Sequence, residues 1–462
     1  MSQWTRECIT FAADGRIINA GQMDDFAGFS IDTRVIEPNQ VYIALRGEQY
    51  DGHSFVAEAA GKGVKGIIIE NSHVGALESL INEHDLFCVA VENTRYALGQ
   101  IARFHRRRLD AKVLAVTGSA GKTSTRKMIT AVLAQKYNLW CTEGNFNNEI
   151  GLPLTILGLT KEHDWAVVEM GANHPGEIKR LCEIAEPRVA VITNIGPAHL
   201  EGFLTLEGVR DAKAEILSNI PQDGAAIING DDPMLQSLAL WHINTVLRYG
   251  FDFENNIMAE DFEARQTGSR FKVTTPDESF EVTLSVPGRF MAQNALAAIA
   301  AGYYLEVPHE DVAQALAEFS GSDKRLEIEE NGRGVLIIND SYNANPLSMA
   351  AAMAVLANTE AARKVFVMGG MGELGDAAQR LHTEMGVLAA QYNFDRFYLC
   401  GPFTEYTVQG AVKGGLPESR IVWGSKEHVM EVLLKDVTAG DCVLIKGSRS
   451  MKMEDFAEAL LK

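Results

Sequence analysis

The chain has 462 residues and a formal net charge of −19 at pH 7; that length exceeds what one hydrophobic core serves, so roughly two to four domains are expected. The acidity argues against a broad nucleic-acid surface, because duplex binding needs clustered Lys and Arg to displace counterions. Six scattered cysteines with no C-x-x-C pair read as reduced, buried thiols, and with neither a signal-peptide h-region in Met1–Arg16 nor a stretch of ~18 uncharged apolar residues, a cytoplasmic protein without a membrane span is expected.

Residues 1–108 read as a small α/β domain, with strand-like runs at 41–45 and 66–69 and a helical pattern at 54–62. Ile31-Asp32-Thr33-Arg34 and Tyr50-Asp51-Gly52-His53 are polar clusters beside these strands, and either ligand-holding loops or ordinary turns fit them. A helix over 96–108, with Thr94 as its cap, leads into the next domain. The basic run Arg103–Arg108 reads as a solvated helix end rather than an anion site.

Residues 109–320 alternate β and α signals, which argues for a parallel sheet covered on both faces. The run from Val113 to Ser124 (V-L-A-V-T-G-S-A-G-K-T-S) is a strand, a Gly-flanked turn and a helix start. Gly118 and Gly121 let the backbone crowd round phosphate oxygens, Lys122 adds a point charge, and Thr123 opens the helix beside a Mg²⁺ ion. A nucleoside triphosphate is the expected ligand, although only Ser119 and Ala120 separate the glycines, where the common P-loop pattern has four residues. The Asn145-Phe146-Asn147-Asn148 loop offers amides that could read a peptide backbone. Glu169 ends an apolar strand and reads as a metal ligand or as a solvated strand-end acid. His199 follows another strand and is equally readable as structural. Lys213, within a helical stretch, reads from its neighbours as a solvated lysine. Residues 257–286 alternate as an antiparallel ribbon.

Residues 321–462 restart the βα pattern with five apolar strands, a second doubly wound unit of the Rossmann kind. Asn339-Asp340-Ser341-Tyr342-Asn343-Ala344-Asn345-Pro346 follows the first of them, placing Asp340 to accept from a ribose hydroxyl. Lys446, Ser448 and Arg449 follow the last, a cationic strand end suited to a carboxylate.

Taken together, T-G-S-A-G-K-T-S, V-V-E-M-G-A, T-N-I-G-P-A-H-L, D-A-K-A-E-I, the Asn294 of Q-N-A-L-A-A and N-D-S-Y-N-A-N-P resemble the Mur ligases, ATP-dependent amide-forming enzymes of peptidoglycan synthesis. The resemblance covers three domains, at 1–108, 109–320 and 321–462. It implies a small α/β N-terminal domain for the UDP substrate, a central P-loop ATPase domain with a parallel sheet, and a Rossmann-like C-terminal domain for the amine. E-G-N-F-N-N-E-I-G-L-P and K-G-S-R-S are similar to the member that joins D-alanyl-D-alanine to a UDP-MurNAc-tripeptide. The D-N-P-R motif of the diamino-acid-adding member is absent.

By that similarity Thr117, Gly118, Ser119, Ala120, Gly121, Lys122, Thr123 and Ser124 surround the ATP phosphates, Thr123 and Glu169 share one Mg²⁺, and His199 takes a second. Lys213 matches a lysine that the family carries as a carbamate. Asn294 meets adenine, Arg325 the phosphates and Asp340 the ribose. Thr33 and Arg34 lie at the UDP end, Asn147 and Asn148 at the peptide, and Lys446, Ser448 and Arg449 at the dipeptide. A monomer is expected. The alternatives are another amide ligase of the same superfamily and a P-loop ATPase that couples hydrolysis to binding a partner.

Overall fold

The computed structural model describes residues 4–47, 49–321 and 324–462; Met1–Gln3, at the head of the stretch read for a signal peptide, lie outside them. The chain divides into two compact units, one of residues up to 114 with 138–170 and 179–187, the other of 115–137, 171–178 and 188–462. The strand Lys112–Thr117 runs across the boundary, three residues on each side.

In the first unit, among the described residues, a five-stranded sheet runs Arg16–Asn19, Phe87–Val91, Gly66–Glu70, Gln40–Ile43, Gly28–Ser30. Its first pair is antiparallel and the others parallel. The three central strands are buried on both faces, so they are mostly apolar and their side chains sort by period two, while the edge strands Arg16–Asn19 and Gly28–Ser30 are partly exposed. Val41, Ile43, Ile68, Phe87 and Val89 pack with Trp4, Ile9, Leu98 and Ile101. Tyr42, Ile67, Ile69 and Cys88 pack with Val56, Ala59 and Ile81.

The connecting helix is Thr94–Arg106, and its cap is Asn93, whose side chain accepts from the Tyr96 N–H at 2.8 Å. Thr94, the expected cap, is buried and donates its hydroxyl to the Ala44 carbonyl. The basic run is not merely solvated: Arg103 and Arg107 both reach Glu186, Arg106 reaches the Ala185 carbonyl, and Arg108 lies over the Trp4 and Phe104 rings. Arg103, Arg106 and Arg107 thus hold the end of the helix Glu177–Ala185.

In the second unit, Val189–Ile192, Ala225–Asn229, Thr245–Gly250 and Ile257–Arg265 pair parallel in that order, and Gly268–Thr274 and Ser279–Leu284 continue antiparallel as the expected ribbon. The Thr193 N–H donates to the Thr117 carbonyl at 3.0 Å, setting Val189–Ile192 beside the end of the strand that feeds the Gly turn. A second sheet, six-stranded among the described residues, runs Glu327–Glu330, Leu336–Asn339, Asp441–Lys446, Arg363–Gly369, Arg396–Cys400, Ile421–Gly424. All its pairs are parallel except the first. The antiparallel edge strand Glu327–Glu330 has no counterpart in the sequence reading, because E-I-E-E carries little apolar signal. The last strand inserts between the second and third, and this change of strand order opens a crevice at their carboxyl ends. Three loops meet there, beginning at Asp340, Gly370 and Gly447.

Candidate active site

The Gly turn is forced into its shape by what surrounds it. Gly118 has φ 142° and Gly121 φ 82°; a Cβ on Gly118 would collide with Thr193 Oγ1, and one on Gly121 would sit 2.6 Å from Asn294 Oδ1. Both positions therefore exclude side chains on steric and torsional grounds. Asn194 then ties the turn down: its carbonyl accepts from the Ser119 N–H at 3.0 Å, its side chain accepts from the Ala120 N–H at 2.9 Å, and its amide donates to the Ala120 carbonyl. Two loop amides expected to face phosphate are thus spent on Asn194. The helix Lys122–Leu133 starts at this turn, with the positive end of its dipole directed at it and Lys122 Nζ held 2.8 Å from the Gly118 carbonyl, an arrangement suited to an anion.

Residues far along the chain close on this turn. Arg325 donates to Thr123 Oγ1 at 3.1 Å and lies 4.0 Å over the Tyr342 ring. Asn345 caps the helix Pro346–Asn358 and donates its amide to the Ser119 carbonyl at 3.1 Å. Asn294, on the helix Arg289–Tyr304, is buried beside Gly121. The sequence places Arg325 at the phosphates and Asn294 at adenine, whereas Asn294 packs directly on the turn; Asn194, Asn345 and Tyr342, all inside the quoted motifs, are not singled out by it.

Lys213 corrects its reading as a solvated lysine. It is 1 % exposed, Nζ donates to the Ala172 carbonyl at 3.1 Å, and it lies 5.1 Å over the Phe203 ring. Burial, with the Lys122 charge adding to it, lowers its pKa to about 7, against the pull of Glu177 and Glu215. Near neutral pH a substantial share of it is therefore the uncharged amine.

His199 sits in the left-handed region (φ 53°) ahead of the short helix Leu200–Phe203. Its Nδ1 lies 2.5 Å from Glu373 Oε2, an ion-pair approach off the axis of a hydrogen bond, and this buried nitrogen has no hydrogen-bond partner among the described residues. The imidazole beside it holds the Glu373 carboxyl below its ordinary range. Glu373 was not singled out from sequence; the only signal was a Gly-rich turn, G-G-M-G-E-L-G, closing a strand.

In the strand-end crevice, Lys446 is buried with Nζ 2.5 Å from Asp340 Oδ2, 3.0 Å from the Asn343 carbonyl and 3.4 Å from that of Asp340. Burial pushes its pKa down and Asp340 opposes that. Its donors are directed inward, so it fixes Asp340 rather than presenting a free cation. Asp340 Oδ1 accepts from the Leu326 N–H at 3.2 Å, beside Arg325. Ser448 Oγ accepts from the Gly372 N–H at 2.7 Å, and the half-exposed Arg449 pairs with Glu454 at 2.6 Å.

The first unit holds its own set. Glu169 is 2 % exposed, and one carboxylate oxygen accepts from Asn147 Nδ2 at 2.7 Å, joining two residues chosen separately from sequence. Asn148 is occupied locally, accepting from the Ile150 and Gly151 N–H groups. Thr33 is buried with its carbonyl on Lys62 Nζ, while the exposed Arg34 guanidinium pairs with Asp32 at 2.6 Å and lowers that carboxyl to about 2. Asp51, His53 and His73 form a group of potential metal ligands. However, His53 accepts from the Glu70 N–H at Nε2 and faces Asp51 at Nδ1, and the two rings stack face to face at 3.8 Å. Parallel rings do not converge their lone pairs on one ion, and Asp51 instead caps the turn Gly52–Phe55, accepting from the His53 N–H.

Residues 25–106 match the Mur ligase family catalytic domain, 116–302 the Mur ligase middle domain, and 324–449 the Mur ligase glutamate ligase domain. With this order of α/β domains and a nucleotide-type Gly turn, the chain belongs to the Mur ligase family. Among its relatives, the UDP-N-acetylmuramoyl-tripeptide–D-alanyl-D-alanine ligase of Bacillus subtilis is 36% identical, over 94% of this chain and 93% of that protein. A crystal structure of MurF from Acinetobacter baumannii superposes with a TM-score of 0.90 at 31% identity, covering 100% of this chain and 99% of that one. MurF from Thermotoga maritima in complex with ADP does so with a TM-score of 0.82 at 30% identity, covering 94% and 96%.

Proposed function

We propose that this chain joins D-alanyl-D-alanine to UDP-N-acetylmuramoyl-tripeptide at the expense of ATP, giving the UDP-linked pentapeptide, ADP and phosphate in peptidoglycan precursor synthesis. The observation that carries this reading is the Gly118–Gly121 turn held against Asn194 and Asn294 and closed by Arg325, in a chain whose relatives over nearly its whole length carry that activity in their names.

The tripeptide's terminal carboxylate attacks the γ-phosphorus and ADP departs, leaving an acyl phosphate. The dipeptide amine, as its free base, then adds to the acyl carbon; the carbon–oxygen bond to phosphate breaks with its electron pair leaving on phosphate, and the nitrogen gives up one proton to the departing phosphate or to water. A carboxylate oxygen is a poor leaving group and phosphate a good one, which is why ATP is needed. Two anions must first be brought together. Lys122, the helix start at 122 and Arg325 supply that charge.

A Mg²⁺ ion would add Lewis-acid charge neutralisation between the phosphates and the attacking carboxylate. The buried Glu169 carboxylate and the Thr123 hydroxyl suit a hard cation, and His199 offers one ring nitrogen. An unmodified Lys213 does not suit it, whereas its carbamate would. Asn294 is assigned to adenine, Asp340 to the ribose with Lys446 holding it, and Ser448 and Arg449 to the dipeptide. Thr33 and Arg34 are assigned to the UDP end, and Asn147 and Asn148 to the peptide. The domain divisions near 108 and 320 belong to the same proposal. So do a monomeric state, since one chain supplies a residue for every ligand, and a cytoplasmic location, where ATP and a UDP-linked precursor are both available. Among the described residues no helix is long and apolar enough to cross a membrane.

The test is mass measurement of the product formed from ATP, UDP-MurNAc-tripeptide and D-Ala-D-Ala. The expected product is the sum of nucleotide and dipeptide less one water, with one ADP per bond. Phosphate release that ignores the amine, or equal use of a diamino acid, would overturn the reading.

A further inference from the structure

His199 is proposed above as a metal ligand, but an imidazole binds a metal only if its other nitrogen carries the proton and the ring is held in one orientation. Something must supply that hold. Nδ1 is buried, and the group facing it is the Glu373 carboxylate, 2.5 Å away on the loop that follows the strand Arg363–Gly369.

We infer that Glu373 is the positioning residue of His199: its carboxylate holds the Nδ1 proton and leaves Nε2 as the metal-binding nitrogen, so that the metal-ready form of His199 depends on the last domain being docked. The inference rests on the reading of His199 as a metal ligand.

Three further observations support it. His199 and Glu373 both occupy the left-handed region, at φ 53° and 60°, though neither is glycine; such backbone persists where the surroundings over-determine it and collects at functional sites. The two loops also meet through the backbone, with the Glu201 N–H directed at the Glu373 carbonyl at 3.4 Å, while Leu200 packs on the core of the last domain. Finally, the Glu373 loop is anchored at its neighbour Gly372, whose N–H donates to Ser448 Oγ, a residue proposed to meet the dipeptide. Disturbing the amine end of the site would therefore reach His199 through two residues. An ordinary surface ion pair accounts for the charge pairing but not for two left-handed residues locked face to face.

The experiment counts Mn²⁺ bound to the full chain in saturating ADP, by electron paramagnetic resonance titration, with thermal melting of each variant alongside. Wild type is expected to bind two ions and His199→Ala one. Glu373→Ala should weaken only the His199-dependent ion, by about 10- to 100-fold. Glu373→Gln keeps an acceptor for the Nδ1–H and should lose less, which a role in packing alone would not produce; it also serves as the probe should the Ala variant fail to fold. In turnover, kcat should fall while KM for ATP stays. If Glu373→Ala and Glu373→Gln both bind two ions with wild-type affinity while His199→Ala loses one, the inference is wrong and the metal reading stands. If His199→Ala also keeps both ions, the metal reading falls and takes the inference with it.

Discussion

Lys213 shows how far a residue's chemistry can depart from its sequence context. D-A-K-A-E-I is a polar helical stretch, yet the fold turns this side chain inward against Phe203 and the Ala172 carbonyl. With its pKa lowered to about 7 by burial and by Lys122, the amine exists at neutral pH in substantial part as the free base that CO₂ requires, and a carbamate would put an anion where the proposed Mg²⁺ ions call for one. The stability linkage has a definite sign. An unmodified Lys213 takes up its proton more readily in the unfolded chain, so stability falls as pH drops from the ordinary lysine value toward about 7 and is flat below that. Carbamylation removes this penalty, and acid reverses carbamylation. Activity should therefore drop when CO₂ is stripped at mildly acidic pH and return with bicarbonate. Native mass spectrometry should show the mass of one CO₂ on the active enzyme. Lys213→Met, uncharged and of similar length, should melt no lower than wild type at pH 7 while losing on the order of 10²-fold or more in turnover. An active enzyme whose Lys213 is unmodified would remove the carbamate from the mechanism.

At the scale of elements, strand-end loops carry the site, and their legibility differs with the range of the forces that shape them. The run from Val113 to Ser124 was readable because strand, Gly turn and helix start are local, and φ at Gly118 and Gly121 states the need for glycine directly. Gly118→Ala should lose ATP affinity and cost roughly 2–4 kcal/mol in a denaturant melt, since overpacking against Thr193 adds to a left-handed alanine. An unchanged melt and nucleotide affinity would show that the turn has room to relax. Asn194, which holds the same turn from 74 residues away, was not readable as its partner, because pairing across that distance is decided by sheet order. The burial of Lys446 against Asp340, 106 residues apart, is hidden for the same reason, and the cationic strand end read from K-G-S-R resolves into one structural cation and one exposed one. Arg449 is the exposed one. Arg449→Ala should therefore raise KM for D-Ala-D-Ala about tenfold and KM for ATP by much less. Equal effects on both would mean that Arg449 acts instead through Glu454, which it shares with Lys324.

For the whole molecule, charge sets a condition on how ligands arrive. The chain carries −19, and both of its proposed nucleotide substrates are polyanions, so its long-range field opposes their approach. Affinity must come from short-range features: the helix start at Lys122, the Lys122 and Arg325 side chains, and Arg34 at the proposed UDP end. The two contributions respond differently to salt. Repulsion between net charges acts over tens of ångströms and is largely screened once the Debye length falls from about 30 Å at 0.01 M to about 8 Å at 0.15 M. Contacts at 3 Å inside a partly buried site are screened much less. Added salt should therefore leave the association rate of the UDP substrate unchanged or raise it over this range, with KM flat or falling, at fixed free Mg²⁺. A protein that captured its substrates with a broad basic surface would show the reverse, an association rate that drops steeply with salt. Stopped-flow measurement with a fluorescent UDP-linked substrate at three ionic strengths distinguishes the two. A several-fold fall in rate by 0.15 M would show that local cations govern the approach as well as the bound state, and the acidic remainder of the surface would then have no part in setting capture.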